Sequence, residues 1–193
     1  MRPTLQWLIA AVLTAMLNPA LAHQTGNSYL YIHQAEGQLA VDLDFYVRDL
    51  SNLLQKPNAA PEPAPSPDKI QGLQPDITEV IHRSLKIEID DQPRALDFIR
   101  QSVVVHNDGL YVRQHFTGPA VDPAAHFAVI RYEFFTQNDQ LGRAFLKLAL
   151  NGDEISSVFD QSSAIQRFAL GDTKRSSTTV SYTHLRAHET LRY

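Results

Sequence analysis

The stretch that decides the fold is SYLYIHQAEGQLAVDLDFYVRDL, Ser28 to Leu50. In its second half Leu39, Val41, Leu43, Phe45 and Val47 fall on one side, and Ala40, Asp42, Asp44 and Tyr46 on the other. A period of two predicts a strand with one buried and one wet face. Tyr29 to His33 reads as its partner, with Ala35-Glu36-Gly37-Gln38 turning the chain between them. A lone hairpin is marginal in water, so the rest of the chain is expected to pack against its apolar side.

Working outward, the period of two returns in several places. Ile87 and Ile89 alternate with charges before an Asp90-Asp91-Gln92-Pro93 turn, and Ala95 to Phe98 reads as a short strand. SVVVH (Ser102–His106), Asn107-Asp108-Gly109 and LYVRQHF (Leu110–Phe116) make a strong hairpin signal. With Asp108-Gly109 as loop residues, His106 faces Tyr111 and His115 faces Ser102. The two histidines then share a face about four strand positions apart, over ~12 Å, too far to chelate one metal ion. His126–Phe135, Ala144–Leu150, ISSVFD from Ile155 and Ala164–Leu170 read as further strands.

One segment has the other period. In PDITEVIHRSL, Ile77, Val80, Ile81 and Leu85 form a helical stripe, with Asp76 and Glu79 spaced as a capping box. A short helix, about Ile77 to Ser84, is expected, with His82 off the stripe and solvated. Before it, residues 57–75 carry a proline-rich run around NAAPEPAPSPD, read as an exposed loop inserted within one domain. Many short strands and one inserted helix indicate a mainly β chain: a two-sheet antiparallel β-sandwich, with a small barrel as the alternative.

The ends carry their own signals. Arg2, the apolar run Leu5–Leu17 and Ala20-Leu21-Ala22 form a signal peptide over residues 1–22, leaving His23 as the mature N-terminus. An exported, periplasmic domain over 23–172 and a linker start at 173–179 are expected. VSYTHLRAHET, Val180 to Thr190, back-translates to the end of a transposon-derived sequencing adapter, so 180–193 reads as a non-biological tail. His184 and His188 are therefore not candidate ligands, and the chain reads as a fragment of a longer protein.

Composition narrows the classes. Seventeen basic against 21 acidic residues give a net charge of -4, which argues against a nucleic-acid binder. Without cysteine there is no disulfide framework, thiolate metal site or cysteine nucleophile. Neither G-x-S-x-G nor H-E-x-x-H occurs. Asp42 and Asp44, about 7 Å apart along one strand face, could pair for acid–base work, but a solvated face explains them more simply. The expectation is that the chain is not an enzyme. His23 offers another chemistry: a free amine and an imidazole on one residue chelate through two nitrogens, and a second imidazole from His33, His115 or His126 would complete a copper site.

Four features together resemble one family. They are the histidine after the signal (AHQTGNSYLYI), the strand ending in Arg-Asp-Leu (LDFYVRDL), IRYEFFTQNDQLGRAFLKL, and the closing AIQRFALGD. The chain resembles, over about His23 to Asp172, the exported N-terminal region of HupE/UreJ-like bacterial membrane proteins. The resemblance implies a C-terminal transmembrane domain missing from this chain, and a role accessory to nickel or cobalt uptake. Some relatives carry an acidic DxDGDG-type loop after Arg-Asp-Leu. Here that place is proline-rich and lacks the oxygen ligands of an EF-hand, so no calcium is expected. The alternative is a stand-alone periplasmic copper-binding sandwich using the His23 brace.

Overall fold

The computed structural model describes residues 26–54, 66–134 and 142–171. The expected signal peptide, His23, most of the proline-rich run, and the expected linker start and tail lie outside these residues. Among the described residues ten strands form in chain order: β1 (Ser28–Ala35), β2 (Gln38–Tyr46), β3 (Leu85–Ile89), β4 (Gln92–Pro93), β5 (Asp97–His106), β6 (Gly109–Ala120), β7 (Phe127–Tyr132), β8 (Ala144–Leu150), β9 (Asp153–Phe159) and β10 (Ile165–Ala169). They make a six-stranded sheet, β5-β6-β2-β1-β8-β9, and a four-stranded sheet, β10-β7-β3-β4. This is the expected sandwich, with one exception to its antiparallel rule. β1 runs parallel to β8, with Leu30 opposite Leu146 and Ile32 opposite Leu148.

Turn chemistry sets the hairpins. Glu36-Gly37, Asp90-Asp91 and Asn151-Gly152 each hold both residues at positive φ, between 49° and 87°. Two consecutive left-handed residues make the turn whose twist matches a two-residue hairpin. Asp90-Asp91 alone therefore closes the β3–β4 turn, and Gln92-Pro93 belongs to a short strand. The β5–β6 hairpin departs from the expected register. Its loop is Asn107-Asp108, and His106 pairs with Gly109, Ser102 with Arg113 and Arg100 with His115. Gly109 begins the strand instead of closing the loop, at a φ of 150° and against the Tyr46 ring, where a Cβ would lie 2.5 Å from Cε2. The slip moves each partner by two positions, so the faces keep their identity. The two strand segments expected near Ala95–Phe98 and Ser102–His106 are one long strand, interrupted where the register shifts between Phe98 and Arg100.

Among the described residues, three helices interrupt the strands. After a 3-10 turn at Val47–Asp49 comes α1 (Leu50–Leu53); α2 (Pro67–Gly72) and α3 (Gln74–Ser84) follow. The α3 helix starts three residues before the expected Ile77. Asp76 falls in its first turn, and Leu73 occupies the cap position without a side-chain bond. The α2 helix corrects the reading of residues 57–75 as a continuous loop, because Pro67 sits where its missing N–H costs nothing. Among the described residues, no helix is long and apolar enough to cross a membrane.

The core lies between the two sheets. Leu30, Ile32, Val41, Leu43, Val112, Leu146 and Leu148 face Ile87, Ile89, Ala128 and Ile130 there, all nearly inaccessible to solvent. Tyr132 links the layers: its hydroxyl donates to Ser28 Oγ at 2.7 Å, and its ring stacks on Phe159 at 5.5 Å. The helices cover the β5–β6 side of the same inner face. Ile70, Ile77 and Ile81 are buried, Gln101 Nε2 donates to the Ile70 carbonyl, and the His82 ring meets Phe116. His82 itself is exposed, as its place off the stripe predicts.

Candidate functional site

The outer face of the six-stranded sheet holds the site. Strand parity sends Leu30, Val41 and Val112 inward and Tyr29, Asp42, Asp44, Tyr111, Arg113 and His115 outward. The β2–β6 register then sets Asp42 opposite His115 and Asp44 opposite Arg113. The β5–β6 register brings Ser102 and His106 to the same face.

Asp44 is at the centre and is fully buried, which corrects the reading of this face as solvated. Arg113 grips it with two bonds, Nε to Oδ1 and Nη2 to Oδ2, both 2.6 Å. His106 Nε2 lies 2.7 Å from Asp44 Oδ2. A planar guanidinium matches a carboxylate in this two-point manner. Aromatic rings close over the pair. Tyr29 stacks on His106 at 4.6 Å, Tyr111 meets His106 edge-on at 4.6 Å, and the Arg113 guanidinium lies 5.3 Å from the Tyr31 ring centre. The Tyr111 hydroxyl donates to Asp108 Oδ2 at 2.8 Å, and Tyr29 reaches the same oxygen at 3.3 Å.

One strand step away, a second group spans three adjacent strands. His115 Nδ1 lies 2.6 Å from Asp42 Oδ1, and His115 Nε2 lies 3.0 Å from Ser102 Oγ. In the neutral ring with Nδ1–H donating to Asp42, Nε2 is the acceptor for the Ser102 hydroxyl. All three residues are half-buried.

No family model matches this chain, and no curated protein matches it. The site is therefore read from its own geometry.

The histidines named as partners for His23 are not gathered in one place. His33 is half-buried on β1 and lines a shallow cleft with Tyr31, Lys147, Ala149 and Glu154. Both ring nitrogens of His115 are engaged, so a metal ion there would have to displace Ser102 or Asp42. His126 is 85% exposed, just before β7, where Asp90 accepts from its backbone N–H. Among the described residues, no three His, Asp or Glu side chains converge as a metal site. Hairpin parity signalled the Ser102–His115 contact; Asp42 joins them only through the pairing of β2 with β6.

The tyrosines report the packing. Burial raises Tyr111 and Tyr29 above the ordinary tyrosine value, and the Asp108 carboxylate beside both raises them further. Burial, then Asp44, raises Tyr31; burial also raises Tyr132, against the bond to Ser28. The folded state thus favours four neutral phenols. That contribution is complete below a pH of about 10 and is lost as pH rises through the raised values. In an ultraviolet titration, four of the seven tyrosines should ionise above the ordinary tyrosine range, with the buried Tyr111 and Tyr132 last. Smooth ionisation of all seven near the ordinary value, with the fold intact, would contradict this packing.

Proposed function

We propose that this chain is the exported β-sandwich domain of a HupE/UreJ-like membrane protein. In that role it acts by surface contact, outside the cytoplasm, as an accessory to nickel or cobalt uptake. One observation carries the reading: the quoted motifs fall on the elements that build the fold. SYLYI begins β1 and LDFY ends β2, the two central strands of the larger sheet. Arg48-Asp49 follows in the 3-10 turn, where the Asp49 carboxylate accepts from the Gly26 N–H at 2.7 Å and ties the start of the described chain to the end of the hairpin. AFLKL is β8, parallel to β1, and AIQRFALGD contains β10. Motifs at such positions constrain a whole domain, whereas motifs in loops would not.

The test is the sequence of the native gene downstream of Asp172. Reading frames that continue past Asp172 into several apolar spans of about 20 residues support the proposal. A stop codon soon after Asp172 overturns it.

A further inference from the structure

We propose that Ser102, His115 and Asp42 form a nucleophilic serine site on the outer face of the six-stranded sheet, with carboxylic esters as its substrate class. This goes beyond the contact role above and departs from the expectation of a chain without reaction chemistry. The argument is geometric. A serine hydroxyl is a weak nucleophile unless a base takes its proton and a third group orients that base. Here each ring nitrogen of His115 meets the partner such a relay needs: Ser102 Oγ on Nε2 at 3.0 Å and Asp42 Oδ1 on Nδ1 at 2.6 Å. The three residues come from β5, β6 and β2, consecutive in the sheet, so the backbone ladders fix their spacing.

The surroundings suit a developing negative charge. Arg100 stands opposite His115 on this same face, while Arg113, opposite Ser102, stays bound to Asp44. β5 has no further strand beside it among the described residues, so alternate backbone N–H groups near Ser102 point away from β6 and lie outside the β5–β6 ladder. In the reaction Ser102 Oγ bonds to the acyl carbon as its proton passes to His115 Nε2. The bond from the acyl carbon to the alkoxide oxygen breaks, and that oxygen takes the proton from His115. Water then attacks the acyl-serine by the same route, releasing the carboxylic acid and restoring the Ser102 hydroxyl.

The full chain is incubated with a fluorophosphonate probe and with p-nitrophenyl acetate, and the adduct is mapped by mass. A fluorophosphonate reports the same attack, with a phosphorus–oxygen bond replacing phosphorus–fluorine as fluoride and a proton leave. A single adduct on Ser102 is expected, forming faster in the native chain than in the same chain unfolded in urea. His115→Gln should slow labelling by about 100-fold or more, and Asp42→Asn should slow it less. Ser102→Ala should lose both the adduct and the ester hydrolysis. The native-against-unfolded comparison needs no variant, so a variant that fails to fold leaves the test intact. Equal labelling of native and unfolded chains, an adduct on another residue, or unchanged labelling in a folded His115→Gln would overturn the proposal.

Discussion

Asp44→Ala should destabilise the domain by about 3 kcal/mol, lowering its melting temperature by on the order of 10 °C. The reason is what the carboxylate leaves behind. Asp44 has no exposure at all, while Arg113 and His106, its two partners, keep 24% and 21% of their side-chain surface accessible. Removing it strands a guanidinium under Tyr31 with both of its bonds to carboxylate gone. The partial exposure of Arg113 lets water recover some of that loss, which keeps the figure at the low end for a broken buried pair. The double variant Asp44→Ala/Arg113→Met should recover part of the stability, because no unpaired charge remains. A wet-face aspartate would behave otherwise. Its removal would change stability by no more than about 0.5 kcal/mol, and thermal unfolding of the three variants separates the two cases.

Ile81→Ala should cost a further and independent amount, about 3 kcal/mol. Ile77 and Ile81 lie one turn apart on α3, both fully buried, with Ile70 of α2 beside them. The helix pair is therefore part of the core and not an appendage on a loop. Truncating Ile81 removes three carbons from a site held by β-strands, which cannot collapse readily around the gap. Glu79→Ala, on the exposed side of the same helix, is the control and should leave the melting curve nearly unchanged. Equal effects of the two substitutions would mean that α3 does not pack on the sheets.

These two results also mark how much the sequence revealed. The alternation from Leu39 to Phe45 and the Glu36-Gly37 turn were legible because both are local: one is a period, the other a backbone demand at two residues. The same holds for Ala144–Leu150, found at its expected bounds. Parallel pairing of β1 with β8 left no such trace. It joins segments more than a hundred residues apart, and neither strand carries a mark of its partner's direction. Asp44 shows the limit most plainly. Alternation assigns it to the face opposite Leu43, but it cannot say whether that face is wet. Its burial comes from Arg113, His106 and the aromatic rings around them, which arrive on β6, β5 and β1. The Ser102–His115 contact was half legible: the hairpin predicted the shared face, while the register slips by two and places Gly109 in the strand beside the Tyr46 ring.

The most direct test is of the strand order that gathers these residues on one face. The chain has no cysteine, so introduced pairs report without background. His33 and Ala149 are register partners across the parallel β1–β8 pair, about 4.8 Å apart, within reach of a disulfide. His33→Cys with Ala149→Cys should oxidise to a cross-linked chain of altered mobility on a non-reducing gel. Glu154 pairs with Ala149 from the far side, on β9, so His33→Cys with Glu154→Cys spans two strand spacings and should stay reduced. Failure of the first pair to cross-link in the folded chain, or equal cross-linking of both, would contradict the sheet and the site built on it.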